Sequence, residues 1–231
     1  WVTYPELVRM SDGVPVFVQT GPSLKATADD IRRALTSKTK ALILNTPSNP
    51  CGTVYTRREL EEIAEVALEA DIIVVSDEIY DELVYDGEHV SIASLSPAIK
   101  ENTIVVNGLS KTYAMTGWRI GYTASNRQVA KVMAAYQSQA TSNPNSIAQY
   151  AGIEALRGPQ DSVAQMKQAF DRRRKLLCKL INDIDGLSCE MPGGAFYVMM
   201  NISGIKGKTY DGMPINTSLE FAEELLKHTL T

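Results

Sequence analysis

The chain has 231 residues, a formal net charge of −4 and a pI near 5.3. Hydrophobic residues make up 44% and charged residues 22%, which suits one to two ordinary globular domains and excludes a disordered tail, a collagen-like repeat or a disulfide miniprotein. The acidic balance argues against a nucleic-acid or anionic-membrane binder, no apolar run approaches the ~20 residues of a membrane span, and no basic-then-apolar leader opens the chain.

In chain order, Ala41-Leu42-Ile43-Leu44 reads as a buried strand. It breaks into residues 45–50, where Pro47 and Pro50 forbid continuation of a central strand. Thr56 and Glu59 form a capping box, followed by Leu60, Ile63, Ala64 and Ala67 at helical spacing. Ile72-Ile73-Val74-Val75 and Thr103-Ile104-Val105-Val106 read as further buried strands, and residues 118–123 as another, with Gly121 permitting a close approach. The second half reads as mostly helical. Residues 127–139 and 145–156 carry Ala, Val, Ile and Met at helix spacing, and 159–185 form one long helix with Pro159 in its first turn and Gly186 past its end. Residues 187–202 return to strand character around 195–200, and Thr217 with Glu220 caps a last helix that runs to the C-terminus. The expected division is a large domain over residues 1–185 and part of a smaller α+β domain over 186–231.

Strand–helix alternation implies an α/β fold, a mostly parallel sheet covered by helices on both faces, whose ligands bind beyond the carboxyl ends of the strands. Three such ends carry more polar residues than a loop requires: 45–52, 76–80 and 107–111. Asp77 follows a buried run, so its carboxylate calls for a nearby cation. Lys111 ends another strand, between small residues that leave room around its amine, and is a candidate Schiff-base nucleophile whose amine burial would depress. Arg119 offers a rigid fork suited to phosphate, and Tyr80 a phenol. A carboxylate, an amine, an arginine and a phenol together fit the needs of pyridoxal phosphate.

The run Gly108-Leu109-Ser110-Lys111-Thr112-Tyr113-Ala114-Met115-Thr116-Gly117-Trp118-Arg119-Ile120-Gly121 resembles the pyridoxal-phosphate attachment signature of class I aminotransferases at every specified position. Asn45-Thr46-Pro47-Ser48-Asn49-Pro50-Cys51-Gly52 and Ser76-Asp77-Glu78-Ile79-Tyr80 resemble the family's other two landmarks, in the right order, and Gly193-Gly194-Ala195-Phe196-Tyr197 is similar too. The resemblance points to the bacterial aspartate aminotransferase-like branch of the fold type I enzymes and implies the roles that follow. Lys111 would bind the cofactor as a Schiff base and move the substrate's Cα proton. Asp77 would pair with the pyridine nitrogen, Asn49 and Tyr80 would bond the ring's 3′-oxygen, and Asn49 would also reach the substrate carboxylate. Arg119 would hold the phosphate with Ser110 beside it, and Trp1 would stack on the ring near the substrate. Plainer readings stand beside three of these: a frayed terminus for Trp1, turn closure for Tyr80 and a small filler for Ser110. The resemblance further implies an amino acid (aspartate) and a 2-oxo acid as substrates, a homodimer and a cytoplasmic enzyme, with no nucleic-acid or membrane partner.

Two departures accompany it. Relatives often carry a phosphate-contacting serine where this chain has Gly108. The front segment with a phosphate loop and the back segment with a substrate-gripping arginine are missing, so the 231 residues alone are expected to bind the cofactor weakly and not to transaminate. Rival functions are a C–S lyase-type β-elimination enzyme using the same cofactor, and a non-catalytic ligand-sensing domain. The three cysteines, Cys51, Cys178 and Cys189, suit a reducing compartment, and the two histidines come without HExxH or CxxC, against a zinc site. Gly207-Lys208-Thr209 imitates the end of a phosphate loop but lacks the upstream glycine, with Ile202 in its place.

Overall fold

The computed structural model describes residues 1–210 and 212–229, so Asp211 and the last two residues, where the expected final helix would reach the C-terminus, lie outside the described residues. Helices α1 (Thr3–Met10) and α2 (Ala28–Ala34) precede strand β1 (Ala41–Asn45), α3 (Arg57–Glu69), β2 (Ile73–Asp77), α4 (Pro97–Glu101) and β3 (Thr103–Gly108). Then come β4 (Gly121–Ala124), α5 (Arg127–Ala140), α6 (Ser146–Arg157) and α7 (Asp161–Asn182). The last part holds β5 (Ser188–Cys189), β6 (Met200–Asn201), β7 (Lys208–Tyr210), β8 (Met213–Ile215) and α8 (Ser218–Thr229).

The main sheet has the order β1-β2-β3-β4. β1, β2 and β3 run parallel, with Asn45 opposite Asp77 and Asp77 opposite Val106, whereas β4 returns antiparallel to β3. This register puts the polar ends of the parallel strands on one edge. Two small antiparallel pairs, β5–β6 and β7–β8, lie outside this sheet.

The core is built where the sequence is most regular. Thr56 caps α3 with the expected box, its hydroxyl accepting from the Glu59 N–H and the Glu59 side chain accepting from the Thr56 N–H, a device worth about 1 kcal/mol. The apolar stripe of α3 places Leu60, Ile63, Val66 and Ala67 against Leu44, Val74, Ile92 and Ile99. A second cluster, Tyr80, Leu83 and Ala195 with Ile79, Phe170 and Tyr197 packed on it, ties the sheet edge to the segment after β5.

Several expectations shift. The sheet is covered unevenly: alternate residues of β2 are buried, every residue of β4 is exposed, and α5 buries none of its residues despite its apolar spacing. β4 starts at Gly121, because residues 116–118 form a short 3-10 turn and Arg119 takes a left-handed conformation at φ 53°, which no strand accommodates. The long helix begins at Asp161 with Pro159 outside it, and ends at Asn182. Residues 195–199 are not strand: Ala195 has φ 56° and is fully buried, so the chain turns there to send aromatic rings into the second cluster. Lys208 opens strand β7 rather than the helix that a phosphate loop requires. Among the described residues no helix is long and apolar enough to cross a membrane.

Candidate active site

A cleft of about 470 Å³ opens at the carboxyl edge of the parallel strands, within the usual ~300–1,000 Å³ of small-molecule sites. Its lining includes Trp1, Asn49, Asp77, Tyr80, Ser110, Lys111 and Arg119, together with Tyr4, Asn45 and Tyr197.

β1 and β2 deliver the polar floor. Asn45, the last residue of β1, donates its side-chain amide to the Asp77 carbonyl (3.1 Å) and accepts the Asn49 N–H on its side-chain oxygen (2.7 Å). That pair fixes the turn through the cis Thr46–Pro47 and Asn49–Pro50 peptides. The Asp77 carboxylate is half-buried and accepts from the Tyr4 hydroxyl at 2.6 Å and from the Ile79 N–H at 3.1 Å. The cation expected beside it is therefore replaced by two neutral donors, which satisfy the anion without cancelling its charge. Burial first, and then the Asp77 anion, push the Tyr4 phenol far above its ordinary value. Tyr4 thus stays a donor throughout the physiological range.

A second set of contacts crosses the chain. The Tyr80 and Tyr197 hydroxyls lie 3.0 Å apart, and the Asn49 side-chain amide donates to Tyr197 at 3.3 Å. Burial, followed by the Tyr197 hydrogen bond, raises the Tyr80 phenol. Residues 193–195 are stitched to the sheet edge by the Gly194 N–H to the Gly52 carbonyl (2.9 Å) and the Ala195 N–H to the Leu83 carbonyl (2.8 Å). Gly52 sits at φ 67°, and a Cβ there would come within 2.4 Å of Pro192, so only glycine lets this segment dock.

β3 delivers the cationic wall. The half-buried Lys111 amine lies 5.5 Å from the Phe196 ring centroid and 5.9 Å from that of Tyr80, within cation–π range. Gly108 faces Gly121 across the β3–β4 pair, and a Cβ on Gly108 would lie 3.0 Å from the Gly121 Cα. The small residue at 108 therefore serves strand contact rather than room around the lysine. The exposed Arg119 guanidinium donates to the Thr116 carbonyl at 2.8 Å, which anchors the fork at the cleft mouth. Trp1 packs edge-on to Tyr4 with ring centroids 5.5 Å apart, and its amine donates to the Asn49 carbonyl at 3.3 Å.

Every site residue expected from the sequence lines this cleft. Sequence reasoning missed Tyr4, Asn45 and Tyr197 as members of the site. Asn45 and Tyr197 stand inside quoted motifs, and Tyr4 lies beside Trp1, but their partners are distant in sequence. The donor set suits pyridoxal phosphate: an amine for its aldehyde, a carboxylate for its ring nitrogen, phenol and amide for its 3′-oxygen, and a guanidinium and hydroxyl for its phosphate.

Comparison with known proteins agrees. Residues 1–230 match the family Aminotransferase class I and II. An aspartate aminotransferase of Bacillus sp. (strain YM-2) is 49% identical over 212 residues, 90% of this chain and 54% of that protein. One from Geobacillus stearothermophilus is 48% identical, over 87% of this chain and 52% of that protein. Among solved structures, the aspartate aminotransferase of Rhizobium meliloti superposes with a TM-score of 0.95 at 41% identity, over 99% of this chain and 58% of that one. The aromatic aminotransferase of Pyrococcus horikoshii OT3 gives a TM-score of 0.91 at 39% identity, over all of this chain and 60% of that one. The chain thus spans between half and three-fifths of the length of these relatives. On motifs, fold and cleft together, the chain belongs to the class I and II aminotransferase family.

Proposed function

We propose that the chain is the cofactor-binding part of a pyridoxal-phosphate-dependent aminotransferase that moves an amino group between L-aspartate and a 2-oxo acid. The observation that carries this reading is the convergence of the Lys111 amine, the Asp77 carboxylate and the Tyr4 and Tyr80 phenols on one cleft. The names of the relatives, aspartate aminotransferases at 48–49% identity, support the substrate class.

When bound, pyridoxal phosphate supplies an aldehyde that condenses with amines and a ring that takes up the electron pair left by a departing Cα proton. The chain's own residues do the rest. Lys111 would hold the cofactor through its Nζ and would serve as the base that takes the proton from the substrate Cα. The Asp77 carboxylate would hold the proton on the ring nitrogen, a fixed anion that would need no reorganisation during the reaction. Tyr4 acts on Asp77 as a positioning residue, with its hydroxyl fixing one carboxylate oxygen. Tyr80 and Asn49 would orient the 3′-oxygen through hydroxyl and amide, with Tyr197 bonded to both. Asn49 also receives the substrate carboxylate. Arg119 and Ser110 would hold the phosphate, and Trp1 would contribute an aromatic ring to the site.

The same reading makes the full-length protein a cytoplasmic homodimer, with residues 1–185 in the large domain and 186–231 in the small one. The test is turnover of L-aspartate with 2-oxoglutarate by the full-length protein, beside phenylalanine and cysteine conjugates. Aspartate-dependent formation of glutamate is expected; release of pyruvate and ammonia from cysteine conjugates alone would favour β-elimination instead.

A further inference from the structure

Two of the three cysteines meet where α7 passes β5. Cys178, 2% exposed, lies near the C-terminal end of α7, and half-buried Cys189 is the second residue of β5. Their contacts interlock: the Cys189 thiol lies 3.8 Å from the Cys178 carbonyl oxygen, and the Cys178 thiol 3.9 Å from the Glu190 carbonyl oxygen. Asn182, one turn beyond Cys178, accepts the Cys189 N–H at 2.9 Å and donates to the Cys189 carbonyl at 3.2 Å, so the strand backbone is clamped to the helix. Burial, then the neighbouring Cys189 thiol, push the Cys178 thiol up to about 11. Neither residue lines the cleft.

We propose that Cys178 and Cys189 form a reversible redox modification site, a dithiol that a peroxide converts into an intramolecular disulfide. Cys189 is the more exposed thiol and reacts first. Its thiolate sulfur attacks a peroxide oxygen, the O–O bond breaks, and hydroxide leaves to be protonated to water. The resulting sulfenic acid faces Cys178, whose sulfur attacks the Cys189 sulfur. The S–O bond breaks, and the departing hydroxide takes the Cys178 proton as a second water. Two thiols and one hydrogen peroxide thus give one disulfide and two waters, with two electrons passing from sulfur to peroxide. A thiol with a second thiol at its side is captured as disulfide before it climbs to sulfinic acid.

The link would fasten the root of the segment that brings Tyr197 to the cleft. β5 leads directly into Pro192, whose carbonyl accepts from Arg174 of α7 at 2.5 Å, and then to Phe196 and Tyr197 at the Lys111 amine and the Tyr80 hydroxyl. Cys51, half-buried in the turn after β1, provides an internal control.

The experiment treats the full-length, cofactor-loaded protein with hydrogen peroxide, blocks free thiols by alkylation and maps tryptic peptides. Residues 176–179 and 180–206 should appear joined, lighter than their sum by two hydrogens, and separate again with dithiothreitol, while peptide 41–57 carries an alkylated Cys51. Closing so short a loop should raise the melting temperature of the oxidised protein by several degrees. The Cys189→Ser variant should show neither the cross-link nor the rise. Separate, alkylated peptides after treatment, Cys189 found as sulfinic acid beside a free Cys178, pairing through Cys51, or a rise that persists in Cys189→Ser would each overturn the proposal.

Discussion

Replacing Tyr4 by phenylalanine removes one oxygen and tests whether the Asp77 carboxylate is held ready for its partner. In the protein one carboxylate oxygen accepts the Tyr4 hydroxyl at 2.6 Å and the other accepts the Ile79 N–H at 3.1 Å. A hydrogen bond to a charged group is worth about 1.5–3 kcal/mol. Asp77 borders an open cleft, so water recovers part of this, and the lower end, about 1.5 kcal/mol, applies. Without the phenol the carboxylate is free to turn about its side chain, and the cost of orienting it moves into cofactor binding. Because about 1.4 kcal/mol is a factor of ten, Tyr4→Phe should weaken pyridoxal-phosphate binding roughly tenfold. The assay is a titration of the full-length apo-protein with the cofactor, followed by absorbance. A Tyr4→Phe protein that binds within twofold of the parent would refute the positioning role.

Asp77→Asn should leave cofactor binding measurable in the same titration while slowing turnover by several orders of magnitude, since a neutral amide no longer holds the ring proton; unchanged turnover would place the electron sink elsewhere. Leu60→Ala empties a site with no solvent exposure in the α3 core and should cost about 2–5 kcal/mol, read by thermal melting, while cofactor affinity stays constant. Stability should fall in alkali. Burial pushes Tyr85 up to about 12, against about 10 in the unfolded chain, so the unfolded state releases its proton first. The stabilisation is complete below about pH 10 and is lost as pH rises through the folded value. Tyr85→Phe should flatten that limb in melts from neutral pH upward.

Residues whose role depends on a strand end were legible in the sequence. Asn49, Asp77 and Lys111 each follow an apolar run, and parallel pairing brings those ends to one edge. The Thr56–Glu59 box was legible because capping is a local contact. Tyr4 and Tyr197 were not: Tyr4 is 73 residues from Asp77, and Tyr197 is 148 from Asn49. Nothing local distinguishes a tyrosine that will reach a distant carboxylate from one that fills a core. Residues 195–199 carry strand-like composition, yet their apolar side chains serve the Tyr80 cluster and the backbone turns at Ala195 to let them. The apolar spacing of α5 likewise does not produce burial within this chain.

The proposed function requires Lys111 to be the residue that takes the cofactor. The most direct test is borohydride reduction of the full-length protein loaded with pyridoxal phosphate, which makes any lysine–cofactor linkage permanent, followed by peptide mapping. The expected result is a single label within residues 101–119, at Lys111, which then resists trypsin so that the peptide runs through to Arg119; Lys111→Ala should abolish it. A label on another lysine, or one that survives Lys111→Ala, would contradict the assignment.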